Sequence, residues 1–273
     1  ADLEKVRGLN LGVSSADRFR PGTKIKVAGL KEVAKLTQLE NLRLHGNQLT
    51  DVSALAKLTQ LKYLNLGNNR LTDVSALASL EQLKTLHLSF NGLTDVGPLA
   101  KLTQLEYLHL NGNQLTDVGV LVGLVKLKTL ILSGNKLTNV SALEKLKQLK
   151  YLSLVGNKRI DLNTLAEFTQ LKSLGLGSSR LTDVSDLAKL KQLESLYLGY
   201  NRLIDASPLA NLTQLTTLNL QHNRLTDAMP LAKLTRLKSL NLSDNSLTDA
   251  SPLAKLTQLK DLNLDNNQLT DIS

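Results

Sequence analysis

The residues best suited to chemistry in this chain are histidines and tyrosines that recur at even spacing. His87 and His109 lie 22 residues apart, and Tyr107 precedes the second of them by two. Two histidines on one face could contribute to a metal site, but zinc needs three or four ligands, and the nearest further candidates are His45 and neutral asparagines. A Ser–His–Asp arrangement would need a buried aspartate that orients the histidine. The aspartates instead follow the strand and its asparagine turn, so the pattern predicts no catalytic residue, no metal and no cofactor.

These residues are positioned by one repeat that runs through most of the chain. Leu39 recurs every 22 residues, with equivalents at Leu61, Leu83, Leu105, Leu127, Leu149, Leu171, Leu193, Leu215, Leu237 and Leu259. The eleven repeats contain no insertion and open L-x-x-L-x-L-x-x-N-x-L, with two exceptions: Ser179 replaces the asparagine once, and Arg159 replaces the last leucine once. Alternating L-x-L predicts a strand with its leucines on one side. The T-D-V-S-A-L-A-K-L tail predicts a short helical connection to the next parallel strand.

This pattern resembles the leucine-rich repeat family, and its 22-residue form is similar to the bacterial internalin-like class. The resemblance covers about residues 39–273 and implies an α/β fold. The fold would be a right-handed solenoid, or horseshoe, with a parallel sheet on the concave face and short helical turns on the convex face. Members mostly bind other proteins. We expect residues 1–38 to be an atypical N-terminal repeat with an inserted loop near Ser14 to Lys24, and residues 39–273 to be eleven repeats, the last truncated.

Two polar columns recur with the leucines. An asparagine such as Asn47 after each strand is expected to bond backbone groups of its own and the next turn, and Ser179 should be a local weak point. An aspartate such as Asp51 could collect cations, but its recurrence favours closing a turn onto its own backbone. We also expect Ser53 to cap a helical turn. The prolines that follow this position in four repeats are expected at the first helical residue: Pro98, Pro208, Pro230 and Pro252.

Function is expected where the repeats differ, at the third, fifth, seventh and marginal eighth positions. All five tyrosines and all four histidines occupy these positions. Aromatic residues are preferred anchors of protein interfaces, although exposed strands also favour Tyr and Thr. The predicted partner-binding residues are Arg43, His45, Tyr63, His87, Phe90, Tyr107, His109, Ile131 and Tyr151, with Tyr197, Tyr200 and His222 as a second contact. Titration of His87 and His109 in that interface would make binding vary between about pH 5 and 8.

The charge of the chain permits other partners. The formal net charge is +9, and a basic stripe follows the asparagines at Lys136, Lys158, Arg180, Arg202 and Arg224. The stripe could attract phosphates, but no aromatic residues for base stacking are interleaved along it, so a nucleic-acid partner is not favoured. No apolar run approaches the roughly 18 residues of a membrane helix, which argues against membrane insertion.

The sequence therefore predicts a non-catalytic module that binds a protein partner on the concave face. Alternatives are a targeting or scaffold domain of a larger enzyme or effector, a polyanion binder on the basic stripe, and a consensus-based scaffold, against which the irregular repeats at Arg159 and Ser179 argue. In the Arg159 repeat we expect Ile160 to turn inward and Phe168 to take up space. The last repeat lacks a polar cap before Ser273, which would allow end-to-end self-association. The partner's identity and the compartment are left open.

Overall fold

The computed structural model describes residues 5–13, 25–158 and 160–270. The predicted inserted loop, Arg159 and Ser273 lie outside these residues. Within the described part of the chain, no helix has the length and apolar character needed to cross a membrane.

The chain forms two compact units. The first comprises Ala1–Lys136 and Lys145–Leu149, and the second comprises Leu137–Glu144 and Lys150–Ser273. Both units repeat one arrangement, in which a three-residue strand is followed by a tight turn, a short helical segment and the next strand.

The first unit contains six strands and one short α-helix among its described residues. The strands are β1 (Gly8–Asn10), β2 (Asn41–Arg43), β3 (Tyr63–Asn65), β4 (Thr85–His87), β5 (Tyr107–His109) and β6 (Thr129–Ile131), and α1 is Val27–Val33. Neighbouring strands pair in parallel in chain order, with equivalent residues in register, as with Leu86 of β4 and Leu108 of β5. The 3₁₀ turns are Ser53–Lys57, Ser75–Ser79, Gly97–Lys101 and Gly119–Gly123.

The second unit has the same organisation. Its strands are β7 (Tyr151–Ser153), β8 (Ser173–Gly175), β9 (Ser195–Tyr197), β10 (Thr217–Asn219), β11 (Ser239–Asn241) and β12 (Asp261–Asn263), which pair in parallel in chain order. The 3₁₀ turns are Leu162–Leu165, Ser185–Lys189, Ser207–Asn211, Met229–Lys233 and Ser251–Lys255. One further turn, Ser141–Lys145, contains the boundary between the units.

The leucines of each repeat form the core between strands and turns. Leu64 and Leu66 of one repeat are fully buried, as are the turn leucines Leu55 and Leu77. Burying one leucine side chain stabilises the fold by about 1.5–3 kcal/mol, and each repeat contributes several. Because every strand presents its leucines to the same side, its other side chains must face solvent.

The asparagine column links successive repeats, but each amide bonds its own and the preceding repeat, and not the next one as expected. The amide of Asn69 donates to the carbonyls of Leu44 and Leu66 at 3.0 and 2.9 Å, and its oxygen accepts from the N–H groups of Asn47 and Leu49. At the exception, the Ser179 hydroxyl donates to the Gly177 carbonyl. A hydroxyl has one proton, so it cannot reproduce the two donor bonds of an amide.

The aspartates close the turns as expected, but the prediction that Ser53 caps the helical turn is wrong. Asp51 Oδ1 accepts the Ser53 N–H at 2.7 Å, and the Ser53 hydroxyl donates to Asp51 Oδ2. Because Asp51 holds that N–H, Ser53 becomes the first helical residue, and the N-cap is Val52 without a side-chain bond. For the same reason Pro98 is the second residue of its turn, Gly97–Lys101, and not the first as expected.

The irregular repeat departs from its neighbours in the predicted place. Ile160 is buried and Phe168 fills its core position completely, which confirms both expectations. The following turn, Leu162–Leu165, has four residues where most turns have five. Asp161 is its N-cap and accepts the Asn163 N–H with its side chain.

Candidate functional site

The solvent side of the sheet, here called the strand face, carries the third, fifth and seventh residues of each repeat. On β3 to β5 these include Tyr63, His87, Tyr107 and His109, all half-buried, while the leucines between them are fully buried. Parallel pairing of β4 and β5 in register places His87 directly beside His109, and Tyr107 beside Thr85. The sheet therefore assembles side chains that are about 20 residues apart in the chain.

These four residues form a connected cluster of rings, here called the ring cluster. The His87 ring lies 5.5 Å from Tyr63, 5.0 Å from Tyr107 and 5.7 Å from His109, measured between centroids. Tyr107 and His109 meet edge to face at 6.4 Å. Aromatic pairs at such distances are stabilised by about 0.5–1.5 kcal/mol beyond their burial, so the cluster is held in place before any partner arrives.

Arg43 and His45 extend the cluster towards the N-terminus. The Arg43 guanidinium carbon lies 5.1 Å from the centre of the Tyr63 ring, in a cation–π contact. The His45 ring packs against Gly12, where any larger side chain would collide with it. Both predicted residues therefore adjoin the first strands of the first unit.

The histidines of the cluster have lowered pKa values. Burial, followed by electrostatic repulsion from His109, Arg43 and His45, lowers the pKa of His87 from 6.5 to about 4. Burial also lowers the pKa of His109. His87 is therefore neutral between pH 5 and 8, which moves its titration in the free protein below the window expected from the sequence.

Phe90 lies at the edge of the strand face in an unfavourable backbone conformation. Its φ is +51°, in the left-handed region, and its side chain is 53% exposed. The equivalent eighth positions hold Gly46, Gly112 and Asn68, which tolerate this region better. The Phe90 ring lies over Gly112, where a Cβ would come within 2.6 Å of it.

The other two predicted residues of the first patch lie on successive strands. Ile131, on β6, is half-buried and pairs in register with His109. Tyr151, on β7, belongs to the second unit, where burial and the nearby Tyr197 raise its pKa. Of the predicted residues from Arg43 to Tyr151, Tyr151 thus belongs to the second unit and the others belong to the first.

The second patch forms a chain of contacts along the eighth position of the second unit. Tyr200 stacks on His222 at 4.4 Å, and His222 Nε2 lies 3.3 Å from Asp244 Oδ2. Asn266 donates to Asp244 Oδ1 at 2.9 Å. Tyr197, the last residue of β9, is exposed three residues before Tyr200.

Two members of this chain of contacts, Asp244 and Asn266, were not among the predicted residues. All four residues along the column have φ between +50° and +59°. Gly46 and Asn68 in the same column elsewhere mark its backbone as left-handed, a conformation that Asn and Asp adopt more readily than most residues. That signal indicates the backbone at Asp244 and Asn266 but not the contacts between their side chains.

The charged residues outside the patches are partly paired. Along the edge before the strands, Lys62–Glu40, Lys128–Glu106 and Lys172–Glu194 bridge adjacent repeats at 2.6–2.7 Å. In the predicted basic stripe, Lys136 donates to Gln114, while the second unit exposes the four members Lys158, Arg180, Arg202 and Arg224.

The described residues contain no group of three or more His, Asp or Glu side chains that could hold a metal ion. The chemistry that the two patches offer is aromatic contact area with hydrogen-bonding edges. Tyr and His rings supply both, and Tyr in particular buries much area with few rotatable bonds.

Comparison with known proteins agrees with this architecture. A family model described as "Leucine Rich repeats (2 copies)" matches residues 37–79, 81–123, 125–167, 169–211, 191–233, 213–246 and 235–273. The chain is similar to the structure of an internalin, InlF, from Listeria monocytogenes, with 33% identity, a TM-score of 0.78, and coverage of 99% of this chain and 84% of that one. A comparison with curated proteins gives no match.

Two further Listeria monocytogenes structures are similar. Internalin C2 shares 40% identity over 68% of this chain and 83% of that one, with a TM-score of 0.64. The functional domain of InlJ shares 28% identity over 89% of this chain and 52% of that one, with a TM-score of 0.71. The predicted α/β repeat fold, with parallel strands and short helical turns, and the predicted internalin-like resemblance are both confirmed.

Proposed function

Because this chain belongs to the leucine-rich repeat family, whose members are protein-interaction modules, we propose that it is a non-catalytic module that binds a protein partner through the strand face, the face expected to be concave. The observation that carries the proposal is the ring cluster of Tyr63, His87, Tyr107 and His109, preorganised on β3 to β5. The exposed Phe90 adds an apolar anchor at its edge, and Tyr197, Tyr200 and His222 supply a second contact.

Preorganisation favours this function energetically. Ordering a flexible side chain at an interface costs about 0.5–1.5 kcal/mol, and rings already held by their neighbours avoid much of that cost. The backbone conformation of Phe90 points the same way, since strain of this kind concentrates at functional positions. Both features are expected of a surface selected for recognition.

The proposal is tested by quantitative affinity capture of partners with the wild type and the double variant Tyr107→Ala/His109→Ala. Removing two central rings is expected to lower partner recovery at least tenfold, because truncating a central anchor costs about 2 kcal/mol or more. The matched control is Val120→Ala/Val125→Ala, which shortens two exposed apolar side chains of the 3₁₀-turn side and its following loop. The control should capture as much as the wild type.

Equal recovery by the wild type and the Tyr107→Ala/His109→Ala variant would contradict the proposal. Repeating the capture at higher salt separates it from the alternative of a polyanion on Arg180, Arg202 and Arg224. Binding to that stripe would weaken steeply with salt and would be lost when these three arginines are replaced, whereas binding to the ring cluster would not depend on them.

A further inference from the structure

The strand face of the first unit carries positive and titratable groups but no carboxylate. From β2 to β6, the third, fifth and seventh positions include Arg43, His45, His87 and His109 and contain no Asp or Glu. Glu40 and Glu106 lie at the preceding edge, where each is bridged to a lysine of the next repeat. An anion placed on this face would therefore meet no acidic group among the face residues.

His87 lies at the centre of this arrangement. Arg43 faces it from β2 and His45 from the segment after β2, Tyr63 faces it from β3, and Tyr107 and His109 face it from β5. Its neighbours along the chain on the same face are the neutral Thr85, on β4, and Ser89, which follows β4. Every ionisable group around the ring is thus a potential cation or a tyrosine hydroxyl donor.

Burial of the ring chiefly keeps the free His87 uncharged by lowering its pKa, and repulsion from Arg43 and from the charged forms of His109 and His45 adds to this effect. A carboxylate seated above the ring would reverse that balance, since it attracts the imidazolium and accepts a hydrogen bond from it. Charge complementarity therefore specifies which chemistry the ring cluster accepts.

We propose that the ring cluster and Arg43 bind an aspartate or glutamate side chain of the protein partner, and that His87 takes up one proton as the complex forms. The inference rests on the proposed protein-binding function and adds the chemistry and the pH dependence of that site. Binding then strengthens as the pH falls from about 7.5 to 5.5, while the partner's carboxylate, with an ordinary pKa near 4, stays ionised.

The size of the effect follows from the proton. If the complex restores the His87 pKa from about 4 to its ordinary 6.5, affinity rises about tenfold between pH 7.5 and 5.5. The probe is a phage-displayed random peptide library, selected on the full chain at pH 5.5 and depleted on the Tyr107→Ala/His109→Ala variant. Recovered peptides are expected to share an acidic residue at one position and to bind about tenfold more weakly at pH 7.5.

Two variants and one spectroscopic measurement complete the test. In His87→Gln the pH ratio should fall below about twofold, whereas Val120→Ala/Val125→Ala should keep it. NMR titration of the His87 ring in the wild-type complex gives the same answer without a variant, through a pKa above about 6.

The possible failures are distinguishable. Peptides that depend on the cluster but lack an acidic residue, or that bind equally at both pH values, overturn the inference and leave the proposed function intact. Recovery of no cluster-dependent peptide overturns both.

Discussion

At the scale of single residues, the eighth position of the repeat shows where stability and recognition diverge. Its backbone is left-handed, and Gly112, Gly134 and Asn68 fit it with little strain. Phe90 and Tyr200 occupy the same conformation with large side chains that remain more than half exposed. Neither ring gains enough burial to explain its presence there, which supports the proposal that these rings contact the partner.

Replacing Phe90 with asparagine should therefore stabilise the protein while weakening recognition. Asn68 already occupies the equivalent position with φ +55°, and relief of left-handed strain is expected to raise the free energy of unfolding by about 0.5–1 kcal/mol. Urea denaturation measures this change, and the reciprocal variant Asn68→Phe should lose a similar amount. A clear loss of stability in Phe90→Asn would mean that packing of the ring on Gly112 outweighs the strain.

At the scale of the element, each strand and the asparagine turn that follows it form one structural element. Strand positions could be predicted because alternating leucines fix both the period and the buried side, so the placement of Tyr107 and His109 on the strand face followed from spacing alone. The mutual contacts of the rings and the left-handed column could not, because they depend on rotamers and backbone dihedrals that no leucine spacing encodes. The start of the helical turn was misplaced at Ser53 because hydrogen bonding by Asp51 decides it.

Ser179, the one exception in the asparagine column, allows the contribution of the asparagine turn to stability to be tested. Ser179 is buried, and an asparagine there would have two backbone carbonyls within reach, as Asn201 has those of Leu176 and Leu198. Ser179→Asn is expected to raise the free energy of unfolding by about 1–2 kcal/mol, from two added hydrogen bonds of about 0.5–1.5 kcal/mol each. Chemical denaturation checks the value, with Asn201→Ser as the mirror variant that should lose stability. No gain in Ser179→Asn would refute the idea that this repeat is a weak point.

At the scale of the whole molecule, the repeated carboxylates and the two half-buried histidines, His87 and His109, make stability depend on pH in two separate ranges. Hydrogen bonds from the Ser75 and Ser185 hydroxyls lower the pKa of Asp73 and Asp183. Bonds and attraction from lysines lower the pKa values of three glutamates: Glu40, Glu106 and Glu194. A carboxyl with a lowered pKa stabilises the fold above its ordinary value and loses that contribution as the pH falls below it.

His87 acts in the range above. Unfolded, it binds a proton below about pH 6.5, whereas folded it does so only below about 4, so acidification between these values favours the unfolded chain. Because the ring is only half-buried, solvent screening reduces the loss to about 1 kcal/mol. The carboxylate that we propose as its ligand would offset this loss in the complex.

Urea unfolding from pH 8 to 3 should consequently show a shallow decline between pH 6.5 and 4 and a steeper one below about 4, where many carboxyl groups take up protons together. His87→Gln should make the upper decline shallower and leave the lower one unchanged, since glutamine does not titrate, while His109 continues to contribute to the upper range. In contrast, 1 M salt should diminish only that part of the lower decline in stability which comes from the exposed Lys–Glu bridges, such as Lys62–Glu40. The Asp–backbone hydrogen bonds are short-range, so salt should leave their contribution unchanged. An upper decline as large in His87→Gln as in the wild type would show that the His87 imidazole is not its source, and would remove the physical basis for proton uptake by His87.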